Sequence, residues 1–154
     1  MTGRTQVAVA LGSNLGDRRG RILAAAEALT RLLGELRLSS LYETAPVDVV
    51  GTQGNFLNAA AIGVSSLTPE ALLAALLAIE ADAGRQRPHP GAPRTIDLDL
   101  VLHGQTVTTG PGVQVPHPRF RERRFVLDPL AEIAPDWVDP VTGLTIAALR
   151  QRLG

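Results

Sequence analysis

The chain has no cysteine and no lysine. Without cysteine there are no disulfides, no thiolate nucleophile and no thiolate metal site, a composition compatible with a reducing cytosol. Without lysine there is no Schiff base, no Walker A loop and no kinase strand lysine. All 15 basic residues are arginine, so any bound phosphate must be held by guanidinium groups, backbone amides or a metal ion. Aromatic residues make up only 3% of the chain, and no run of exposed rings suggests an RNA-binding sheet. Acidic residues also number 15, so there is no net field to attract nucleic acid or an anionic membrane. The longest apolar run, Ala71 to Ile79, falls far short of the roughly 20 residues that span a bilayer. The N-terminal residues enter a strand-like run with no signal-peptide core. These absences predict a cytoplasmic protein with no membrane or nucleic-acid partner.

What is present fits one α/β domain over residues 1–154, long enough to bury a sizeable core. Val7 to Leu11 predicts a first strand, and Gly12 to Asp17 has turn composition. Ile22, Ala26, Leu29 and Leu33 recur at helical spacing, with Gly34 expected to end that helix. Strands are predicted over Leu36 to Thr44 and Asn55 to Val64, with a loop from Ala45 to Gly54 between them. Thr68 and Pro69 make an N-cap and first helical residue for a second helix to about Ala83. Arg85 to Pro93 holds three prolines and a glycine, and cannot be regular structure. A strand follows from Ile96. The order βαββαβ predicts a ferredoxin-like core, with a mainly antiparallel sheet and helices on one face. C-terminal additions follow: a strand pair near His103 to Val115, a helical turn near Arg121 to Ile133, and a last helix from Ile146 to Arg152.

The segment Arg94-Thr95-Ile96-Asp97-Leu98-Asp99-Leu100 carries the chemistry. Residues i and i+2 of a strand share a face, about 7 Å apart, so Asp97 and Asp99 point the same way. The apolar flanks predict a central strand, where two like charges require a cation or several donors between them. Mg²⁺ takes oxygen ligands and is held by one or two carboxylates together with substrate phosphates. Arg85, Arg87 and Arg94 lie just upstream, a density of cations suited to a polyphosphate. Glu80 stands at the edge of a helix's apolar stripe near its C-terminus, where the helix dipole disfavours a carboxylate, and is a candidate acceptor for ligand hydroxyls. Phe56 and Asn58 alternate onto one strand face, a ring and an amide that suit a flat, hydrogen-bonding heterocycle. By residues alone this is a Mg²⁺-dependent phosphoryl-type enzyme. A ligand-sensing module on the same fold and a nucleotide-sugar transferase remain as alternatives.

Four blocks make the resemblance specific: Leu11-Gly12-Ser13-Asn14-Leu15-Gly16-Asp17; Tyr42-Glu43-Thr44 through Asn55-Phe56-Leu57-Asn58-Ala59; Gly84-Arg85-Gln86-Arg87 through Pro93-Arg94-Thr95-Ile96-Asp97-Leu98-Asp99; and Val115-Pro116-His117-Pro118 through Arg123-Arg124-Phe125, continuing to Glu132-Ile133-Ala134-Pro135. In order and content they resemble the 6-hydroxymethyl-7,8-dihydropterin pyrophosphokinase family of folate biosynthesis. The resemblance implies transfer of pyrophosphate from ATP to the pterin hydroxymethyl group, with release of AMP. Asp97 and Asp99 would bind two Mg²⁺ ions, and Arg85 and Arg94 would stabilise the transferred group. Glu80, Arg87, Arg94, Leu100, His117, Arg121 and Arg123 would contact ATP. Thr44, Ala45, Val47, Phe56, Asn58 and Phe125 would bind the pterin, with the two rings stacking on it. A monomer is expected. The chain departs from the family pattern at Gly91-Ala92-Pro93, where an aromatic is frequent, at Pro118, at Ala45 and at Phe56, where tyrosine is common.

Overall fold

The computed structural model describes residues 4–45, 54–83, 96–110 and 112–154. The described residues form β1 (Thr5–Ser13), α1 (Arg18–Thr30), β2 (Gly34–Leu38), β3 (Tyr42–Thr44), β4 (Phe56–Ser65), α2 (Pro69–Asp82), β5 (Asp97–His103), α3 (Arg124–Ile133) and α4 (Ile146–Arg152), with a 3₁₀ turn at Phe120–Glu122 before α3. The sheet runs β2-β4-β1-β5, with β3 also paired to β4. Every pairing between strands is antiparallel. This is the ferredoxin-like arrangement expected from the element order.

Several boundaries move for identifiable reasons. Gly12 and Ser13 continue β1, paired with Asn58 and Leu57, so the turn starts only at Asn14. The helix α1 ends at Thr30 rather than near Leu33, and Gly34 opens β2 instead of closing the helix. The predicted strand from Leu36 to Thr44 is broken into β2 and β3 at Ser39. There the Ala60 N–H donates to the Ser39 hydroxyl (2.8 Å) and the Ser39 N–H donates to the Ala60 carbonyl (2.8 Å). A side chain has replaced a main-chain acceptor, which shifts the ladder. The second helix behaves as its caps predict: the Thr68 hydroxyl accepts from the Ala71 N–H, and Pro69 is the first helical residue. Near His103 to Val115 the expected strand pair reduces to one bridge, Thr108 with Val115.

Strand alternation divides the core in two. Val7, Val9, Leu11, Leu98 and Leu100 face Ile22, Leu29, Leu72 and Leu76 of α1 and α2. Ala8, Ala10, Ala60 and Ile62 face Val126, Leu127, Leu130 and Ile133 of α3 and Ile146 and Leu149 of α4. The core helices therefore share one face, as expected, and the C-terminal additions cover the other. No helix among the described residues is long and apolar enough to cross a membrane.

Candidate active site

Register places the predicted residues in one row. Gly12 lies opposite Asp97 on one side and Asn58 on the other, and Asn58 lies opposite Tyr42. Residues directly opposite in an antiparallel pair project from the same face, so Asp97, Gly12, Asn58 and Tyr42 share the α3 face of the sheet. The next row adds Asp99, Ala10 and Ala60, and Thr44 pairs with Phe56. The paired carboxylates and the Phe56–Asn58 pair thus sit two strand spacings apart, roughly 10 Å between α-carbons.

The position of β5 differs from the expectation of a central strand: among the described residues it is the edge of the sheet, paired with β1 alone. Its apolar flanks are explained by α1 and α2 on one face and the additions on the other. Its outer edge is satisfied by side elements. The Leu98 N–H, between the two aspartates, donates to Glu80 Oε2 at 2.7 Å, and the Val101 carbonyl accepts from the His117 N–H at 2.9 Å. Glu80 is only 3% exposed, so it is no solvated helix-end acid. It fastens α2 to the strand that carries Asp97 and Asp99.

Asp97 and Asp99 are half-buried on the site face. They offer hard oxygen donors at i and i+2, and among the described residues no group of three histidine, cysteine or acidic side chains gathers elsewhere as a metal cage. Two carboxylates with room for phosphate oxygens suit Mg²⁺, which tolerates few protein ligands and keeps the rest of its octahedron for phosphate and water.

His117 is held next to this end of the row. Burial pushes its pKa down, the Arg123 charge adds to that, and Asp97 opposes it. Its Nδ1 accepts the Arg119 N–H at 3.1 Å, so the neutral ring carries its proton on Nε2. His117 is thereby a neutral donor beside a carboxylate. The Arg123 guanidinium lies 5.4 Å from the Phe125 ring centre and so stands between the cationic and aromatic parts of the site.

Arg121 has a different neighbour. Its Nε and Nη2 donate to Asp139 Oδ2 and Oδ1 at 2.5 and 2.9 Å, and it lies 4.8 Å over the Phe120 ring. Asp139 is fully buried. Burial pushes its carboxyl pKa up, but Arg121, the Thr142 hydroxyl and the Val141 N–H together bring it down to about 2. Two of the three guanidinium nitrogens of Arg121 are thus engaged within the protein, anchoring the 3₁₀ turn that leads to Arg123 and Phe125. Leu100 also departs from a direct role. Its side chain is buried with α1 and α2, because it alternates away from Asp99, so the side chain is not on the site face.

At the other end of the row the Asn58 Nδ2 donates to the Thr44 hydroxyl at 2.5 Å, which fixes the amide's orientation. Gly12 has no left-handed φ, so its backbone does not require glycine. A methyl group there would lie 3.2 Å from Asn58 Oδ1 and 3.6 Å from the Phe56 ring, and glycine lets both groups settle over β1. Ala45 is exposed at the end of β3. Arg85, Arg87, Arg94 and Val47 lie outside the described residues.

Sequence reasoning missed Asp139, Glu132 and the Arg18–Glu43 pair. Asp139 had a local signal, since Asp139-Pro140-Val141-Thr142-Gly143 is a turn sequence. The other two join segments distant in sequence and had none.

The family model for 7,8-dihydro-6-hydroxymethylpterin-pyrophosphokinase matches residues 8–135. A 2-amino-4-hydroxy-6-hydroxymethyldihydropteridine pyrophosphokinase of Pseudomonas aeruginosa is 45% identical over 134 residues, covering 85% of this chain and 82% of that protein. One from Synechocystis is 40% identical over 147 residues, covering 94% and 74%. A folic acid synthesis protein of Pneumocystis carinii is 42% identical over 148 residues, but the chain spans only 20% of its length. Among solved structures, Plasmodium falciparum HPPK-DHPS superposes with a TM-score of 0.77 at 14% identity, covering 99% of this chain and 45% of that one, a likeness of fold. The chain therefore belongs to the 7,8-dihydro-6-hydroxymethylpterin-pyrophosphokinase family.

Proposed function

We propose that this chain transfers pyrophosphate from ATP to the hydroxymethyl oxygen of 6-hydroxymethyl-7,8-dihydropterin, releasing AMP, as a step of folate biosynthesis. The observation that supports the reading is the row Asp97–Gly12–Asn58, which puts a carboxylate and an amide on one sheet face, two strands apart. The hydroxymethyl oxygen attacks the β-phosphorus of ATP. A new O–P bond forms there, the bond from the β-phosphorus to the bridging oxygen of AMP breaks, and the hydroxyl proton passes to solvent.

Asp97 and Asp99 would hold two Mg²⁺ ions, which would supply charge neutralisation and alignment of the phosphates. Glu80 keeps β5 in register beneath them. His117 donates from Nε2 to a phosphate oxygen without adding a second charge beside Arg123. Arg123 adds a cation, and Arg121 holds the turn that presents it. Arg85, Arg87 and Arg94 supply the remaining guanidinium groups, of which Arg85 and Arg94 stabilise charge on the group in transit. Asn58 and Thr44, with the backbone at Ala45 and Val47, recognise the pterin edge, and Phe56 and Phe125 stack on its faces. The whole reaction resides in a single domain, acting as a cytoplasmic monomer.

Incubation with ATP, Mg²⁺ and hydroxymethyldihydropterin, followed by identification of the nucleotide product, tests the reading. Pterin-dependent AMP is expected; ADP, or no pterin-dependent product, would sink it.

A further inference from the structure

The strand β3 is the least self-sufficient part of the heterocycle end. It has three residues and, among the described residues, pairs with β4 alone, whereas strands commonly run five or six. A ladder that short at a sheet edge leaves the tilt of the strand open. Two carboxylates fix it, one from each face. On the α1 side Glu43 accepts from Arg18 Nη2 at 2.9 Å and from Asn55 Nδ2 at 3.4 Å. On the α3 side Glu132 accepts from the Tyr42 hydroxyl at 2.6 Å, the Ser40 hydroxyl at 3.0 Å and the Ser40 N–H at 3.1 and 3.2 Å.

The Glu132 arrangement joins two separate walls. Tyr42 is two residues before Thr44, on the same face of β3, and directly opposite Asn58. Glu132 follows Phe125 by two helical turns, so both lie on one side of α3. The helix does not need this bond to dock, because Val126, Leu127, Leu130 and Ile133 already pack on Ala8, Ala60 and Ile62. Glu132 is exposed, and exposed polar contacts add little to stability. What several donors on one carboxylate do fix is geometry. The Glu132 bond holds the Tyr42 hydroxyl pKa up at about 12, so that hydroxyl keeps its proton throughout the neutral range.

We propose that Glu132 is a positioning residue for the heterocycle, setting the gap between the Thr44–Asn58 edge and the Phe125 ring through Tyr42 and Ser40. The inference rests on the pterin reading above. It predicts a selective effect: binding of the pterin depends on Glu132, and binding of ATP does not.

Steady-state kinetics with each substrate varied in turn, on wild type, Glu132→Ala, Glu132→Gln and Tyr42→Phe, test it. Glu132→Ala should raise KM for the pterin about tenfold, the scale of losing one charge-assisted hydrogen bond. KM for ATP and kcat should stay within about twofold, a shift below the energy of one such bond. Tyr42→Phe, which removes only the hydroxyl, should move the same KM in the same direction by less, and Glu132→Gln should recover much of the loss. Unchanged pterin KM in both Glu132→Ala and Tyr42→Phe, or equal rises for both substrates, would overturn the positioning role. A wild type that makes no pterin-dependent AMP overturns the underlying reading instead, so the two failures are distinguishable.

Discussion

The two faces of the sheet are made by the same strands and do opposite work. Toward α1 and α2 the strands present Val7, Val9, Leu11, Leu98 and Leu100, which interlock with Leu72, Leu76 and Ile22. Toward α3 they present Ala8, Ala10 and Ala60, and at one end Gly12, Asn58, Asp97 and Asp99. One face is filled by its own side chains. The other is covered by helices around Ala8, Ala60, Ile62 and Val101 and carries its polar groups, Asn58, Asp97 and Asp99, at the opposite end. Alternation at period two lets Leu98 belong to the first face and its neighbours Asp97 and Asp99 to the second. Stability and chemistry are thereby separated by a single residue step, and substitutions should sort accordingly.

The largest effect should come from the site face. Asp97→Ala or Asp99→Ala should lower kcat by about 10³-fold or more, as expected for losing a principal electrostatic stabiliser of phosphoryl transfer, while thermal melting stays close to wild type. Near-normal turnover in either variant would remove the metal assignment. On the core face, Leu76→Ala should cost about 2–5 kcal/mol in a denaturant titration, with kcat per folded molecule unchanged. A large fall in kcat there would show that the faces are not separable.

Asp139 tests the part of the site face that is built from charge. Its carboxyl pKa is lowered from 3.8 to about 2, so its ionised form favours the folded state. That contribution is present above about pH 4, is lost as the pH falls toward 2, and amounts to about 2–3 kcal/mol. Asp139→Asn should reduce stability at pH 7 by a similar amount and flatten the pH dependence between pH 4 and 2, as unfolding curves at each pH would read. An unchanged acid limb would mean the pair with Arg121 contributes nothing. The smallest effect sharpens the comparison most. Gly12→Ala should raise KM for the pterin by about fivefold, less than the tenfold of a whole charge-assisted bond, because the added methyl group presses most closely on Asn58 and Phe56. KM for ATP should not follow it.

Much of this was legible in the sequence because it is local. Thr68 and Pro69 start a helix by their own chemistry, and Asp97 and Asp99 share a face through strand geometry alone. The βαββαβ order followed from hydrophobic period and turn residues. What stayed hidden depends on which strand lies beside which. The apolar sequence around Asp97 suits a central strand equally well, and only its pairing with β1 alone among the described residues makes it an edge. Ser39 breaks a strand because Ala60 happens to face its hydroxyl. Glu80 looked out of place on its helix for the right physical reason, yet its partner is a backbone amide 18 residues away. Glu132 and Tyr42 lie 90 residues apart, beyond any local pattern.

The edge position of β5 has a consequence for how the protein keeps its own company. A rim strand reading Ile96-Asp97-Leu98-Asp99-Leu100-Val101-Leu102 is, without its charges, a template for recruiting another chain. Glu80 and His117 occupy two of its outward-facing backbone groups, and the two aspartates act as gatekeepers of the kind that discourage edge-to-edge association. The carboxylates suited to Mg²⁺ therefore also guard solubility. The double variant Asp97→Asn, Asp99→Asn, which loses turnover with its carboxylates, should also scatter more light on warming than either single variant, because both edge charges are gone.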